Sequence, residues 1–322
     1  AHLWRHIRNH ERAGSALAAG PLRATGADAG GLAANTGHCV QLAPVYQKRC
    51  TLYSRVLPHS FASRTAGHNP FVHLPQLQGR VIPASASGLR LTDEVLAEWD
   101  ARARCQGLPA HWRLPDCEVE RSRRQVLPQS AAQDGLWVFA YGSLLWNPGI
   151  HFDEVRRARL AGFARRFALG TTIGRGTPDR PGLVLTLQRE SGEHCEGLVF
   201  RIPAELVEAE SRLLWRREMI HGSYCPAMMA LHTPQSAVQA VVLTATTPHP
   251  QHCAGLSMQA TADTIARACG SVGSNRDYLD QLVAQCEVLG IEDDYVSELA
   301  ALVEAAAVAA TPTAAATAAA GD

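Results

Sequence analysis

The chain has 322 residues and a formal net charge of zero, since 30 basic side chains balance 30 acidic ones. This length accommodates two average domains, or one domain with unstructured flanks. The nine cysteines include no Cys-x-x-Cys pair, and no run of about eighteen apolar residues is present. These features argue against a disulfide-stapled scaffold and against a membrane helix. We therefore expect a cytoplasmic protein with reduced thiols.

Residues 1–88 form a leader of distinct composition. Residues 1–90 contain ten basic residues and two acids, Glu11 and Asp28, so this part carries +8 and the remainder −8. The leader mixes Ala, Gly, Ser, His and Pro without a lasting helical or strand period. The first methionine of the chain is Met219. We predict that residues 1–88 are disordered or non-native; a transit peptide is an alternative, which the prolines and the length weaken.

The next region, residues 89–134, is predicted to be a helix followed by a proline-rich lead-in. Thr92 is placed to cap a helix that ends near Ala103, and acids in its first turn suit the positive end of the helix dipole. A run of arginines follows at positions 121, 123 and 124. It is interpreted as a solvated face rather than a nucleic-acid patch, because no aromatic residues are interleaved with it.

Residues 135–310 have the apolar patterning of a packed core. Apolar runs rich in β-branched residues predict strands at about 136–141, 183–188, 196–202 and 238–245. Helices are predicted in the rest, from Pro203, from Thr261 to Cys269, from Arg276 with Asn275 as cap, and from Asp293. Strands interrupted by helices without even βαβ spacing indicate an α+β fold. An Ala/Thr tail at 311–322 is predicted to be disordered.

One glutamate lies on the apolar face of the helix that begins near Pro203. At about 100° per residue, Leu214 and Glu218 both lie within about 20° of the direction of Val207, whereas Arg216 points the opposite way, into solvent. A buried carboxylate needs a partner or a raised pKa. Glu218 is therefore either a structural ion-pair partner of Arg212 or Arg217, or a general base whose pKa burial raises.

A glycine-serine turn follows the first predicted strand. Gly142 and Ser143 end the apolar run that starts at Trp137, and such a turn exposes backbone N–H groups that hold carboxylates or phosphates. An ordinary tight turn is the competing interpretation. Pro148 shortly after keeps the segment in a loop, which disfavours a nucleotide-binding helix.

Three other patterns support no site. Residues 270–275 resemble a phosphate loop but follow a helix and lack the Gly-Lys-Ser/Thr ending, so they are predicted to connect two helices. Residues 249–253 carry His and Cys, yet no second cluster with zinc spacing completes them. A Gly-x-Ser-x-Gly motif is absent.

Four motifs in order give the chain a family resemblance. They are residues 137–146, residues 175–182, residues 214–224, and residues 265–291 with their Gly273, Asn275, Tyr278 and Leu289-Gly290-Ile291. Across Leu136 to about Ala300 the chain resembles the ChaC-type γ-glutamylcyclotransferases, which act on glutathione. The resemblance implies an α+β, γ-glutamylcyclotransferase-like fold: a small mixed β-barrel flanked by helices.

The resemblance also implies a site. It marks Glu218 as the catalytic glutamate and Ala140, Tyr141, Gly142, Ser143, Leu144 and Leu145 as the substrate-binding turn. Ala140 departs from the family, which usually has Gly there; a positive φ at this position would cost about 1 kcal/mol or more. Tyr224 and Tyr278 are candidate substrate contacts, with a core hydrogen bond as the alternative for each.

The implied reaction is attack of glutathione's α-amine on its own γ-carbonyl, which yields 5-oxoproline and Cys-Gly, with Glu218 as acid and base. No metal or organic cofactor, nucleic acid or membrane is expected to take part, and protein partners are not predicted. Two alternatives stay open: a γ-glutamyl-binding module of the same fold without turnover, and a cyclotransferase for other γ-glutamyl amines.

Overall fold

The computed structural model describes residues 69–105, 107–253 and 255–310. The helices are α1 Asp93–Cys105, α2 Asp116–Val126, α3 Ala131–Asp134, α4 Val207–Glu218, α5 Met258–Arg267, α6 Asn275–Leu289 and α7 Asp294–Ala310. The strands are β1 Leu136–Ala140, β2 Glu154–Thr171, β3 Gly182–Ile202, β4 Tyr224–His232, β5 Ala237–Ala245, β6 Cys269–Gly270 and β7 Gly273–Ser274. Short 3-10 helices lie at Pro75–Leu77, Ala84–Ala86, Ser143–Leu145 and Ala204–Leu206.

Five strands close into a barrel in the order β1-β3-β2-β4-β5. β1 pairs in parallel with β5, with Trp137 opposite Ala240, and the other neighbours are antiparallel. Val138 and Phe139 of β1 are almost fully buried, as the apolar run predicts. The predicted α+β class and small mixed barrel are confirmed.

Two strands of the barrel, β2 and β4, were not predicted, and two of the predicted strands form one continuous strand, β3. β3 contains both 183–188 and 196–202. β4 contains Pro226, which has no N–H to donate to a strand ladder and so lowers the strand signal. β2 carries arginines on both faces, which interrupts the alternation that marks a strand; they are Arg156, Arg157, Arg159, Arg165 and Arg166.

β3 approaches the end of β1 very closely. A Cβ atom added to Gly197 would lie 2.1 Å from the carbonyl oxygen of Ala140. Only glycine permits this approach, because any larger residue would push the two strands apart. The end of β1, where the turn begins, is thereby held against β3.

Helix α6 begins at Asn275 and is capped by Ser274, which corrects the predicted cap. The Ser274 hydroxyl accepts from the Asp277 N–H and the Asp277 carboxylate accepts from the Ser274 N–H, a capping box. Asn275 is instead fully buried, where its side chain donates to the Leu183 carbonyl at 2.7 Å and accepts from the Leu183 N–H at 2.6 Å. Residues 270–275 connect two helices, as predicted, through the β6-β7 hairpin.

The packed region begins earlier than predicted. Residues 69–88 belong to the predicted leader, yet Leu74, Leu77, Val81 and Ala84 are buried. Apolar residues at such irregular spacing give no periodic signal, so only packing reveals them. Residues 1–68 and 311–322, for which disorder is predicted, lie outside the described residues.

The observed lead-in is longer than the predicted one, because it includes residues 69–88. This lead-in, residues 69–134, packs against helix α4. Arg123 is only 2% exposed and donates to Ser211 at 2.9 Å and to Glu208 at 2.8 Å. Arg216 pairs with Asp93 at 2.7 Å. The solvated placement predicted for Arg123 and Arg216 is therefore wrong, because α1 and α2 cover a face of α4 that spacing alone assigns to solvent. Arg121 and Arg124 are exposed, as predicted.

No helix within the described residues is long and apolar enough to cross a membrane.

Candidate active site

The turn after β1 starts from ordinary strand geometry. Ala140 is the last residue of β1, pairs with Leu198 and is fully buried. A strand residue has an extended backbone, which alanine adopts without cost. The departure from glycine at this position therefore introduces no backbone strain.

Gly142 leads into the 3-10 helix Ser143–Leu145, and this geometry leaves N–H groups free. Among the described residues, the N–H groups of Gly142 and Leu144 donate to no backbone carbonyl. Leu144 and Leu145 are buried, and the Leu145 carbonyl accepts from Gln285 at 3.2 Å. Below the turn, buried Arg165 donates to the Tyr141 carbonyl at 2.9 Å. The turn is thus held through its carbonyl groups, while the N–H groups of Gly142 and Leu144 have no backbone acceptor in the described structure.

Glu218 ends helix α4 close to this turn. Its side chain is 12% exposed, and its Oε1 atom is fully buried without a hydrogen bond. Burial raises the pKa of Glu218, and the neighbouring Arg217 offsets this only in part. A desolvated carboxylate at the negative end of a helix dipole is expected to hold its proton more tightly.

Arg217 joins the glutamate to the turn. Its Nε atom lies 2.9 Å from Glu218 Oε1, but the N–H does not point at the oxygen, so the contact is an ion pair without a hydrogen bond. Its two other nitrogens donate to the Asn147 carbonyl at 2.6 Å and to the Ser143 hydroxyl at 3.0 Å. Arg212, the other predicted partner of Glu218, pairs with Glu208 instead.

Three tyrosines face the glutamate. The Tyr141 hydroxyl donates to the Leu243 carbonyl at 2.6 Å, and the Tyr224 hydroxyl donates to the Leu185 carbonyl at 2.6 Å. Burial raises the pKa of both hydroxyls well above the usual value, and the Glu218 charge adds to the effect. Tyr141 and Tyr224 therefore form core hydrogen bonds to the barrel.

Tyr278 of α6 is placed differently. Its oxygen faces the Ser143 N–H, and a Cβ atom on Gly142 would lie 3.0 Å from it. Trp146 and Phe167 pack edge-on against its ring at centroid distances of 5.5 and 5.7 Å. Burial raises its pKa to about 12, and the Glu218 charge adds to the effect. Tyr278 thus covers the turn with a neutral hydroxyl.

Arg175 is a residue of this region that the sequence did not single out for a role. Its guanidinium lies 5.6 Å from the centroid of the Tyr278 ring and donates to the Ser274 carbonyl at 3.0 Å. It is half-buried, burial lowers its pKa, and it forms no ion pair with a described carboxylate. The charge of Asp277 acts on it from beyond ion-pair distance. A half-buried cation near an N–H-rich turn without a paired carboxylate is a signal for an anionic ligand.

Metal ligands do not cluster in the described part of the chain, where no group of three His, Cys, Asp or Glu side chains is poised to hold an ion. His249 instead contacts the His221 carbonyl at 3.2 Å.

The site combines a buried glutamate, an N–H-rich turn and a nearby cation, and it lies in a region that is similar to known proteins. The family model described as ChaC-like protein matches residues 136–306. The glutathione-specific γ-glutamylcyclotransferase of Escherichia coli K12 is 39% identical over 165 residues, which cover 51% of this chain and 71% of that protein. γ-Glutamylcyclotransferase 2-3 of Arabidopsis thaliana is 31% identical over 172 residues, covering 51% of this chain and 86% of that protein.

A solved structure agrees with these similarities. The crystal structure of a γ-glutamylcyclotransferase specific to glutathione from yeast superposes with a TM-score of 0.50 at 25% identity. The match covers 54% of this chain and 97% of that one. The region that resembles these proteins contains the whole turn, Glu218 and both candidate tyrosines.

Proposed function

Because the chain belongs to the ChaC-like protein family, we propose that it is a γ-glutamylcyclotransferase that cleaves glutathione into 5-oxoproline and Cys-Gly. The relatives described above are named for this activity. The single observation that carries the proposal is Glu218, a buried carboxylate with a raised pKa beside a turn with free N–H groups.

The first step is removal of a proton from the substrate. The α-amine of glutathione is an ammonium ion near neutral pH, since α-amino groups have a pKa of about 7.7–8.0, and an ammonium ion cannot attack a carbonyl. Glu218 accepts one of its protons. Because burial raises the pKa of this carboxyl, the proton affinities of donor and acceptor come closer, which favours the transfer.

The second step forms a ring. The freed amine attacks the γ-carbonyl carbon of the same molecule, a C–N bond forms, and negative charge develops on the carbonyl oxygen. The N–H groups of Gly142 and Leu144, which have no backbone acceptor in the described structure, are available to stabilise that oxygen. Since the attack is intramolecular, the enzyme contributes orientation as much as acid-base chemistry.

The third step breaks the amide bond between the γ-carbonyl carbon and the cysteine nitrogen. The proton that Glu218 accepted passes to the departing nitrogen as the C–N bond breaks. Glu218 then takes the extra proton of the ring nitrogen, which becomes the neutral lactam N–H of 5-oxoproline. This second proton passes to the Cys-Gly amine, which leaves as an ammonium ion while Glu218 returns to its ionised form. The single carboxylate thus acts first as base and then as acid.

Arg175 is proposed to hold the α-carboxylate of the γ-glutamyl group. Among the described residues it forms no ion pair, although the charge of Asp277 acts on it, and it lies beside Tyr278, which covers the turn. A guanidinium binds a carboxylate through two parallel N–H···O bonds, which orients it as well as holding it. An anchored carboxylate would fix the neighbouring amine toward Glu218.

The proposal is tested with the purified full chain, glutathione, and a panel of γ-glutamyl amino acids, by measuring both 5-oxoproline and the released amine. We expect equimolar 5-oxoproline and Cys-Gly from glutathione, and little turnover of the other substrates. Equal turnover of the whole panel would replace glutathione by γ-glutamyl amines in general. Binding of glutathione in calorimetry without any 5-oxoproline would show a binding module and overturn the proposal.

A further inference from the structure

Arg217 is the one described residue that contacts the glutamate, the turn and the following loop together. Its Nε atom lies 2.9 Å from Glu218 Oε1, and its terminal nitrogens donate to Ser143 Oγ at 3.0 Å and to the Asn147 carbonyl at 2.6 Å. Its side chain is only 10% exposed, so these contacts are shielded from water. One planar guanidinium therefore sets the distance between the carboxylate and the turn.

The lead-in forms hydrogen bonds to the loop at residues 147–149, and this loop contacts Arg217. The Ser87 hydroxyl donates to Asn147 Oδ1 at 2.7 Å, and Arg90 donates to the Gly149 carbonyl at 3.1 Å. Gly149 has a φ of +65°, and a Cβ atom there would lie 3.2 Å from an Arg217 nitrogen. The loop backbone therefore lies against the guanidinium, and the residues that fasten this loop precede the family match, which begins at residue 136.

Arg217 also sets the electrostatic environment of the glutamate. The titratable groups that face Glu218 are Arg217 on α4, Tyr141 after β1, Tyr224 on β4 and Tyr278 on α6. The pKa values of the three tyrosines are raised, so these groups are neutral at working pH. Among the described residues, Arg217 is then the only charge that opposes the desolvation of this carboxylate.

We propose that Arg217 is a positioning residue for the reaction: its guanidinium orients the Glu218 carboxylate toward the Ser143 turn, and Ser87 of the lead-in fixes the loop behind it. This inference rests on the proposed function, because it assigns a part to Arg217 in the same site. Arg217 acts through Glu218 and does not take a proton itself.

The test compares Arg217→Gln with Arg216→Gln, its neighbour on the same helix, whose guanidinium pairs with exposed Asp93. Dependence of kcat/KM for glutathione on pH is measured, since its acidic limb reports the pKa of the base in the free enzyme. For Arg217→Gln we expect a loss of about 100-fold and an acidic limb about one pH unit higher, because a counter-charge is lost. Arg216→Gln is expected to stay within threefold of the parent with an unmoved limb.

Arg217→Lys keeps the positive charge but lacks the planar set of N–H donors of the guanidinium. An ammonium cannot donate to Ser143 and Asn147 in the same geometry, so we expect kcat to fall about tenfold while the acidic limb stays near that of the parent. This variant also carries the test if Arg217→Gln does not fold, as judged by circular dichroism. Parental kcat in Arg217→Lys, or an unmoved limb in folded Arg217→Gln, would overturn the inference.

The lead-in step is tested with Ser87→Ala and with Ser85→Ala, an exposed serine of the same segment. We expect kcat to fall about threefold in Ser87→Ala with KM unchanged, and no change in Ser85→Ala. Equal kcat in the two variants would remove Ser87 from the network. If the parent itself makes no 5-oxoproline, the proposed function fails; an active parent with unaffected Arg217 variants means that only this inference fails.

Discussion

Helix α4 carries two buried glutamates at opposite ends, and their environments are opposites. At the first end, burial would raise the pKa of Glu210, but hydrogen bonds from Arg90 and His151 outweigh it and lower the pKa to about 2. At the last residue, burial raises the pKa of Glu218, and Arg217 offsets this only in part. The lead-in supplies the bidentate partner of Glu210, at 2.5 and 2.6 Å, whereas Glu218 Oε1 accepts no hydrogen bond.

This difference separates a structural carboxylate from the one proposed to be reactive. A fully paired carboxylate contributes stability and resists protonation, whereas a desolvated one with incomplete pairing accepts a proton more readily and can exchange it. Both residues lie on one helix only eight positions apart. The partners, rather than the helix, decide which of the two glutamates is suited to chemistry.

The largest expected effect comes from removing the reactive carboxylate. Glu218→Gln should lower kcat for glutathione by about 10²- to 10⁴-fold, the usual contribution of a general acid-base group. The free energy of unfolding should not decrease, because the substitution removes a desolvated charge with no hydrogen bond on Oε1. Steady-state kinetics and urea unfolding of the same preparation check both statements. A rate within tenfold of the parent would disprove the catalytic role.

The structural carboxylate should give the reverse pattern. Glu210→Gln leaves Arg90 without a counter-charge in a site where the Glu210 side chain is 3% exposed, so we expect a loss of about 3 kcal/mol in unfolding free energy. Exposed Glu205 on the preceding turn is the matched control, and Glu205→Gln should stay within about 0.5 kcal/mol. Equal stability of the two variants would disprove the structural role of Glu210.

The pH dependence of stability follows from the same residue. The pKa of Glu210 is about 2 in the folded chain and about 4.3 in an unfolded one, so its contribution is fully present above about pH 4.3 and is lost as pH falls toward 2. The contribution amounts to about 3 kcal/mol. Urea unfolding of the parent between pH 6 and 2.5 should show this loss, and Glu210→Gln should show a shallower one. Parallel curves for the two proteins would contradict the assignment.

A smaller effect is expected for Arg175, which is proposed to bind the α-carboxylate of the substrate. Arg175→Gln should raise KM for glutathione about tenfold and leave kcat within about threefold, if the guanidinium binds ground state and transition state equally. Arg180→Gln, in the same loop but exposed, is the control and should have parental constants. A fall in kcat without a change in KM would place Arg175 in the transition state rather than in binding.

The smallest effects distinguish the two candidate tyrosines. Tyr278→Phe removes the hydroxyl over the turn and is expected to lower kcat about threefold. Tyr224→Phe removes a bond to the Leu185 carbonyl and should lower the free energy of unfolding by about 1 kcal/mol without changing the kinetics. Kinetics and unfolding are measured on both variants. The reverse outcome would exchange their roles.

Much of the fold was predictable wherever one periodicity ran undisturbed. The apolar run of β1, the two halves of β3 and strand β5 were predicted, as was α4. β2 was missed because arginines on both of its faces hide the strand period. Three of them pair with acids distant in the sequence, as Arg165 does with Asp293. Residues 69–88 were misassigned for a similar reason, since their buried apolar residues have no period.

The sequence alone determined that a glutamate ends the apolar face of α4 and that an N–H-rich turn follows β1, because both depend on local geometry. It could not separate Glu218 from Glu210, which lies about 60° from Val207 around the same helix. Only the tertiary structure decided that Arg90 pairs with Glu210 across 120 positions while Arg217 joins Glu218 to Ser143. Ion-pair partners of this kind are chosen by the packing of distant segments, which no local period encodes.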